Sequence, residues 1–448
     1  MIRRVLAWTD ARTGFAGATR KYVDKVFPNH WSFLLGEVTL YSFIILVATG
    51  TWLAFFFEPS TAEVIYDGSY EPLQGVEMSK AFASALDLSF DVRAGLVMRQ
   101  MHHWAALLFV AAMTAHLARV FFTGGFRKPR ELNWVIGVVL LILAIVNGFA
   151  GYSLLDDQLS GTGLRIAYSV ALSIPVGGTW AASLFFGGDF PGDQIIGRLF
   201  VIHVYVVPIV IGALLAAHLA LVVAHKHTHF PGEGAAEDNV VGERLWPTYA
   251  AKAGGLFFLV AGVIALLGGV AQINPVWVYG PFRPANVSTL SQPDWYMGWL
   301  EGAMRLMPPW EIRAFGFEVP NPFFPGVLIP GITFGVLLLW PFLEARFSGD
   351  HDEHHVLDRP RDRPLRTALG TATFAFYTVL GLGGASDALS QLFNISINTF
   401  IRILQVLVFV VPVTVGWLTH RLCLELQARD GAPDDAEGLE PAPEGRPA

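Results

Sequence analysis

Four histidines stand in two apolar segments at nearly the same interval. His102 and His116 are 14 residues apart in "RQMHHWAALLFVAAMTAHLAR", and His203 and His218 are 15 apart in "GRLFVIHVYVVPIVIGALLAAHLALVV". At about 100° and 1.5 Å per residue, a helix returns after 14 residues to within roughly 40° of the same face, about 21 Å further along its axis. A lone imidazole in an apolar helix is more often a hydrogen-bonded packing residue than a ligand. Two helices carrying matched pairs are a different case. If they run in the same direction, His102 lies level with His203 and His116 with His218. Two facing imidazoles at one level are the axial ligands of a six-coordinate b-type haem. Zinc would need more ligands than either level supplies. His103 points roughly 140° away from His116 and is not expected to ligate.

Cations and glycines accompany these pairs. Haem propionates need cations on the side of the nearer membrane surface. Arg99 and Arg198 lie outward of His102 and His203, and Arg119 lies inward of His116. As isolated residues these arginines would read as snorkelling anchors at helix ends. Gly36 and Gly50 in one apolar run, and Gly137 and Gly151 in another, repeat the 14-residue interval. A ring held between two helices needs neighbouring backbone without side chains.

The elements that must position these residues are membrane helices. Of the 448 residues 53% are hydrophobic and 15% charged, and the mean hydropathy is +0.48, which excludes an ordinary soluble domain. Eight runs are long enough to span, roughly 33–57, 97–122, 132–152, 198–224, 250–272, 326–346, 367–385 and 399–424. The expected fold is all-α: a polytopic membrane protein with eight transmembrane helices, the first four forming a haem-binding bundle. The expected organisation is an N-terminal segment 1–32, the bundle 33–230, a C-terminal membrane region 231–425, and a disordered tail 426–448 rich in Pro, Gly, Ala and Glu.

Basic residues cluster in the N-terminus, in 127–130, in 226–244 and in 346–366. These fall on one side if every run spans, so both termini are expected in the cytoplasm and the protein in the plasma membrane. The other connections then face outward, and the long one holding "SQPDWYMGWLEG" is where function is expected. "MIRRVLAWTDARTGF" has no apolar core for a cleavable signal, so insertion is expected to rest on the spans. The single cysteine, Cys423, excludes an internal disulfide, and no C-x-x-C-H attaches a covalent haem.

The segments "MHHW…HLAR", "GVVLLILAIVNGFAGYSL", "GRLFVIHVYVVPIV…AHLALVV" and "SQPDWYMGWLEG" resemble cytochrome b of the quinol:cytochrome c oxidoreductase (cytochrome bc) complexes, over residues from about 30 to 425. "TGGFRKPREL" and the 15-residue spacing are similar to the cytochrome b-six branch. "GYSLLDDQLSGTGLRI" and "FLEARFSGDHDEHHVLDRPRDRPLRTALG" resemble the actinobacterial form. The resemblance implies that His102 and His203 hold a low-potential haem and His116 and His218 a high-potential one. It further implies a Q cycle, in which quinol, with menaquinol favoured, is oxidised at an outer site and quinone is reduced at an inner one. The implied partners are a Rieske iron-sulfur protein, a cytochrome c subunit that a di-haem form would satisfy, a terminal cytochrome c oxidase, membrane lipid and a second copy of the chain. Nucleic acid is not among them.

By the same resemblance the outer site contains Pro293, Asp294, Trp295 and Tyr296, with Tyr152 at the end of the third run; Asp294 and Tyr296 are the catalytic candidates. Asp294 stands where the family has Glu, which shortens its reach by about 1.5 Å. Leu155 and Asp156 replace the family's Pro-Trp. At the inner site His227 best matches the quinone-binding histidine and His225 competes with it. "WPTYAAKAGG" lacks the acid often found there, its nearest ionisable group being Lys252. His351, His354 and His355 are expected in a solvated or subunit-docking loop rather than a metal site. Two rival classes would also hold buried histidines: a di-haem anchor of a quinone-linked dehydrogenase, and a transporter with a histidine proton relay.

Overall fold

The computed structural model describes residues 2–14, 23–286, 292–314 and 316–430. Arg20, Lys21 and tail residues 431–448 lie outside the described residues. The helices are α1 (Ile2–Thr13), α2 (Trp31–Leu53), α3 (Lys80–Phe90), α4 (Gly95–Phe122), α5 (Glu131–Ser153), α6 (Gln158–Leu172), α7 (Gly178–Phe186), α8 (Ile195–Ala224), α9 (Leu245–Val270), α10 (Val276–Tyr279), α11 (Trp295–Leu306), α12 (Phe324–Ser348), α13 (Pro364–Gly384), α14 (Ser386–Leu392) and α15 (Ile397–Asp430). Two short 3-10 turns, Glu71–Leu73 and Pro360–Asp362, and three two-stranded antiparallel ribbons lie in the connections: β1 (Val26–Phe27) with β4 (Glu243–Arg244), β2 (Glu63–Ile65) with β3 (Glu77–Ser79), and β5 (Ile312–Ala314) with β6 (Phe317–Val319).

The protein is a helical, multi-pass membrane protein. Among the described residues, α2, α4, α5, α8, α9, α12 and α15 are each long and apolar enough to cross a bilayer, and α13 joins them when taken with α14, to which it is bent by 73°. Every apolar run expected from sequence falls on one of these helices. The last runs further than expected. Residues 426–430, assigned above to the tail, are the end of α15, because "RLCLELQARD" is made of strong helix formers. Two side-chain contacts also hold its end: Gln427 donates to the Arg361 carbonyl at 2.9 Å, and Arg361 pairs with Asp430 at 2.7 Å.

α2 packs on α4, α5 on α8, and α9 against both α2 and α4, while α11, α13 and α15 form a second group. The centre of the first group is apolar: Phe109, Val110 and Met113 of α4, Leu140, Leu141 and Ala144 of α5, and Val207 and Ile211 of α8. On α4 these residues lie midway between His102 and His116, so an apolar layer separates the two histidine levels.

The long connections are latched to the spans. Gln100, fully buried, donates to the Ile273 carbonyl at 3.0 Å and accepts from the Ile273 N–H at 2.9 Å. Trp104 donates to the Ala271 carbonyl at 2.8 Å, and Arg99 to the Asn274 carbonyl at 3.3 Å. These bonds turn the chain at the end of α9 across the top of α4. Asp157 caps α6 by accepting from the Ser160 N–H at 2.7 Å, and Gln158 joins the backbone of Gly280 and Arg283.

At the opposite end Arg366, 4% exposed, is held between Glu344 at 2.7 Å and Asp358 at 2.5 Å, and Arg127 adds a second cation to Asp358 at 3.2 Å. Removing one member of a buried ionic cluster leaves its partners uncompensated, at a cost of about 3–5 kcal/mol. Arg366→Met is therefore expected to lower the thermal midpoint of the detergent-solubilised protein and Arg366→Lys to lower it less. An unchanged midpoint for Arg366→Met would show that the cluster contributes nothing to stability.

Candidate paired-imidazole centre and quinol pocket

The two ligand helices differ in sequence interval by one residue, and the backbone absorbs the difference. Residues Ile202–Val206, containing His203, form a π-turn within α8. Pro208, two residues beyond it, has no N–H to donate back along the helix, which favours such a local rearrangement. A π-turn takes up about one extra residue, so the 15-residue interval on α8 covers nearly the same rotation as the 14 on α4. The His102 and His203 rings have centroids 6.1 Å apart, and those of His116 and His218 lie 6.5 Å apart. Two imidazoles bonded from opposite sides to one iron, at about 2.0 Å per bond, have centroids roughly 6.3 Å apart. Both pairs fall at that separation.

Hydrogen bonds orient the rings. Thr49 gives its own proton to the Ile45 carbonyl at 2.7 Å and accepts from His102 Nδ1 at 2.9 Å. His203 Nδ1 donates to the Asn147 carbonyl at 2.9 Å. With Nδ1 carrying the proton, Nε2 of each ring is left with its lone pair, as a metal ligand requires. Thr49 and Asn147 were not identified from sequence, since a hydroxyl or a backbone carbonyl in a span has no spacing signature.

The cations divide. Arg99 is buried with Nε and one terminal nitrogen unpartnered, and Arg119 has an unpartnered Nε beside its stacking contact with Phe33 at 4.6 Å. Buried guanidinium N–H groups without partners are rare and costly, and they fit propionate carboxylates at the two levels. Arg198 does not. It donates to the Ser183 carbonyl at 3.0 Å and the Leu184 carbonyl at 2.5 Å, and to Gln194 at 2.7 Å. Carbonyls in the last turn of α7 carry the negative end of the helix dipole, and they take up the cation that sequence position had assigned to a propionate.

The glycines serve the histidines directly. A Cβ at Gly50 would stand 2.9 Å from His102 Cε1, one at Gly36 3.2 Å from His116 Cε1, and one at Gly137 3.8 Å from His218 Cε1; one at Gly151 would overlap His203. The expectation was room for a macrocycle. The nearest groups these glycines clear are the ligand rings themselves, so the shared 14-residue interval has a direct steric cause.

A cavity of about 240 Å³ runs from His102 and His203 past Arg99 and Tyr152 to His103, Asp294 and Tyr296. Leu155 also lines it, whereas Pro293 and Trp295 do not; Trp295 is half exposed. Asp294 precedes α11, yet its side chain makes no capping bond. Instead Oδ1 accepts from His103 Nε2 at 2.8 Å and from Asn274 at 3.4 Å, and Oδ2 accepts from Tyr296 at 2.9 Å. The rotation that keeps His103 away from the iron level thus aims it at the carboxylate. Burial, with Asp294 beside it, pushes the Tyr296 hydroxyl well above its usual pKa, so it stays a proton-bearing donor. Asp156 and Asp157 are pushed up to about 6, chiefly by burial.

At the basic end His227 packs on Phe27 with ring centroids 4.4 Å apart, and its Nε2 is buried without a partner. Burial, with Lys25, Arg130 and Arg119 nearby, pulls its pKa down to about 4. His225 contributes its carbonyl to Arg130 at 3.0 Å. The loop of His351, His354 and His355 folds onto its neighbours: Arg130 donates to the His354 carbonyl at 2.6 Å, and His354 Nε2 to Asp350 at 2.9 Å. Among the described residues no group of histidines, cysteines and acids is arranged to hold a metal ion.

Fold and site together define a class, the membrane helical proteins that present two stacked, facing imidazole pairs to a buried redox group. Residues 107–281 match the family described as Cytochrome b(N-terminal)/b6/petB. The chain is 51% identical to the cytochrome bc1 complex cytochrome b subunit of Streptomyces coelicolor over 95% of this chain and 78% of the relative. It is 51% identical to that of Mycobacterium tuberculosis over 94% and 77%, and 50% identical to that of Corynebacterium efficiens over 94% and 78%. A solved structure described as a hyperthermophilic respiratory Complex III shares the fold, with a TM-score of 0.69 at 20% identity, covering 93% of this chain and 99% of that one. The chain belongs to the cytochrome bc1 complex cytochrome b subunit family, which implies b-type haem and sets aside the dehydrogenase-anchor and transporter readings.

Because a Cβ at Gly50 would press on the ring of His102, Gly50→Val is expected to weaken the reduced-minus-oxidised haem absorbance. Gly137→Ala, with ordinary clearance, should leave it intact. Full absorbance in Gly50→Val would refute the steric role.

Proposed function

We propose that this chain oxidises quinol at the Asp294 pocket and carries electrons across the membrane to a second quinone site beside His227, as the di-haem subunit of a quinol:cytochrome c oxidoreductase. One observation carries the reading: a single cavity joins the His102–His203 pair to the Asp294–Tyr296 pair. When bound, haem at each imidazole pair supplies a one-electron iron couple.

The chain's own residues manage the protons. Quinol must lose two protons as it loses two electrons, and a carboxylate in a largely apolar pocket can accept one. Asp294 is shorter than Glu, and its carboxylate is fixed from both sides, by His103 on α4 and Tyr296 on α11. Arg99 and Arg119 are placed for propionates, and Tyr152 closes the pocket at the end of α5. The apolar layer between the levels excludes water from the electron path.

The basic connections favour an orientation with both termini in the cytoplasm of a plasma-membrane protein and the Asp294 pocket outside. The actinobacterial relatives favour menaquinol as substrate. A Rieske protein and a cytochrome c subunit are the electron-accepting partners in this reading, within a homodimeric complex.

Two non-covalent haems per chain are expected on acid-acetone extraction; recovery of one or none ends the assignment. His203→Ala should remove the haem of the His102 level and leave the other spectrally intact.

Asp294→Asn keeps the side chain's size but cannot act as a carboxylate base, so quinol turnover of the intact complex should fall tenfold or more with normal haem spectra. Since Asp294 makes no capping bond, loss of a cap does not account for such a fall. His103→Ala should also slow turnover while leaving both haems in place. Near-normal turnover in both variants would remove the proton-acceptor role.

A further inference from the structure

The start of α9 lacks a carboxylate, but one reaches it from another helix. Tyr249 donates its hydroxyl to Glu37 Oε1, and Tyr41, one turn along α2, donates to Glu37 Oε2 at 3.1 Å. The Tyr249 ring lies 4.7 Å from Phe27, whose other neighbour is His227 at 4.4 Å. Glu37, Tyr249 and His227 thus border one aromatic row at the basic end, with the unpartnered His227 Nε2 at its far side.

A para-quinone has a carbonyl oxygen on each side of its ring, and reduction must bring a proton to both. The groups serving them stand about 11 Å apart once hydrogen-bond lengths are included. Tyr249 and His227 pack against the same Phe27 ring, so a phenol and an imidazole meet at one aromatic side chain. Two carboxylates border the start of α9. Glu243 has Oε1 engaged by Lys252 at 2.7 Å and Asn29 at 3.0 Å. Glu37 forms no ion pair among the described residues and is met by two phenol hydroxyls, so protonating it breaks no salt bridge. It can load and unload a proton where Glu243 would first have to release a lysine.

We propose that Glu37, acting through Tyr249, delivers a proton to the quinone reduced beside His227; this rests on the inner-site reading above. The quinone gains two electrons originating in quinol oxidation, and two protons. On the Tyr249 side the Glu37 O–H bond breaks as its proton passes to Tyr249 Oη, and the Tyr249 O–H bond breaks as the quinone O–H bond forms. Glu37 is then reprotonated from solvent at the basic face. The proton for the second oxygen arrives from solvent on the His227 side, giving quinol. Glu37 is met by Tyr41 on its own helix and by Tyr249 on α9, while Lys25, Arg130 and Arg119 lie near His227.

The test uses the intact complex in an Asp294→Asn background, which mutes the opposite site. Its b haems are reduced with stoichiometric dithionite and mixed with 2,3-dimethyl-1,4-naphthoquinone, and their reoxidation is followed in H₂O and D₂O. Glu37→Gln and Tyr249→Phe should each slow reoxidation tenfold or more, with haem spectra and naphthoquinone affinity within twofold of the parent. Glu37→Asp should restore part of the rate and retain a solvent isotope effect. Reoxidation within twofold of the parent in Glu37→Gln overturns the proposal. His227→Ala separates the two levels of failure: a slow His227→Ala with a normal Glu37→Gln rejects Glu37 alone, and a normal rate in both rejects the inner site as well.

Discussion

An imidazole inside a membrane span has two nitrogens to account for, and the structure turns on how each is used. Nδ1 of His102 and His203 is satisfied within the bundle by a threonine hydroxyl and a helix carbonyl. That bond fixes which nitrogen keeps a lone pair and where it points, so the facing rings arrive at an iron-sized separation. The packing follows from this constraint. The glycines of α2 and α5 are the backbone that lets the rings adopt those positions, and the π-turn of α8 is the adjustment that brings His203 into register with His102. The apolar layer of Phe109, Met113 and Val207 fills the depth the two levels leave between them.

The same economy extends to the pocket. α4 carries ligand and pocket residues in alternation: Arg99 and His102 face the redox centre, Gln100 and Trp104 hold the connection after α9, and His103 holds Asp294. In the function proposed above, one helix thus fixes the distance between the group that takes electrons and the group that takes a proton. Movement of α4 would shift both together, whereas a carboxylate held only by its own loop could drift from the electron acceptor. Asn274, positioned by the Arg99 latch, adds a third donor to the carboxylate.

Most of the fold was legible because its signals are dense. Twenty apolar residues mark a span regardless of what packs on it, and every expected run became a helix. The paired histidine levels were legible for a similar reason, since His and Gly repeat at nearly one interval. What the sequence hid was local or non-periodic. The π-turn has no composition signature beyond Pro208. Arg198 has the expected position but a different partner, because the C-terminal carbonyls of α7 are visible only once the short helix is placed. His103 was excluded as a ligand by helical geometry, but nothing in the sequence connected it to an aspartate 191 residues away. Glu37 was overlooked because the acid was sought at the start of α9, whereas the helix that supplies it lies more than 200 residues earlier.

In the function proposed above, the groups that handle protons at the two ends of the bundle have different immediate neighbours. At the Asp294 end the acceptor is a carboxylate met by neutral or weakly basic donors, a setting in which it can take a proton from a departing quinol. At the His227 end a group of cations, Lys25, Arg119 and Arg130, surrounds an imidazole whose pKa is drawn down to about 4. A positive surround favours the extra negative charge of a quinone that has received electrons ahead of its protons. It would hinder quinol oxidation, which leaves positive charge to be disposed of. On the function proposed above, the cations beside His227 suit the end at which quinone is reduced.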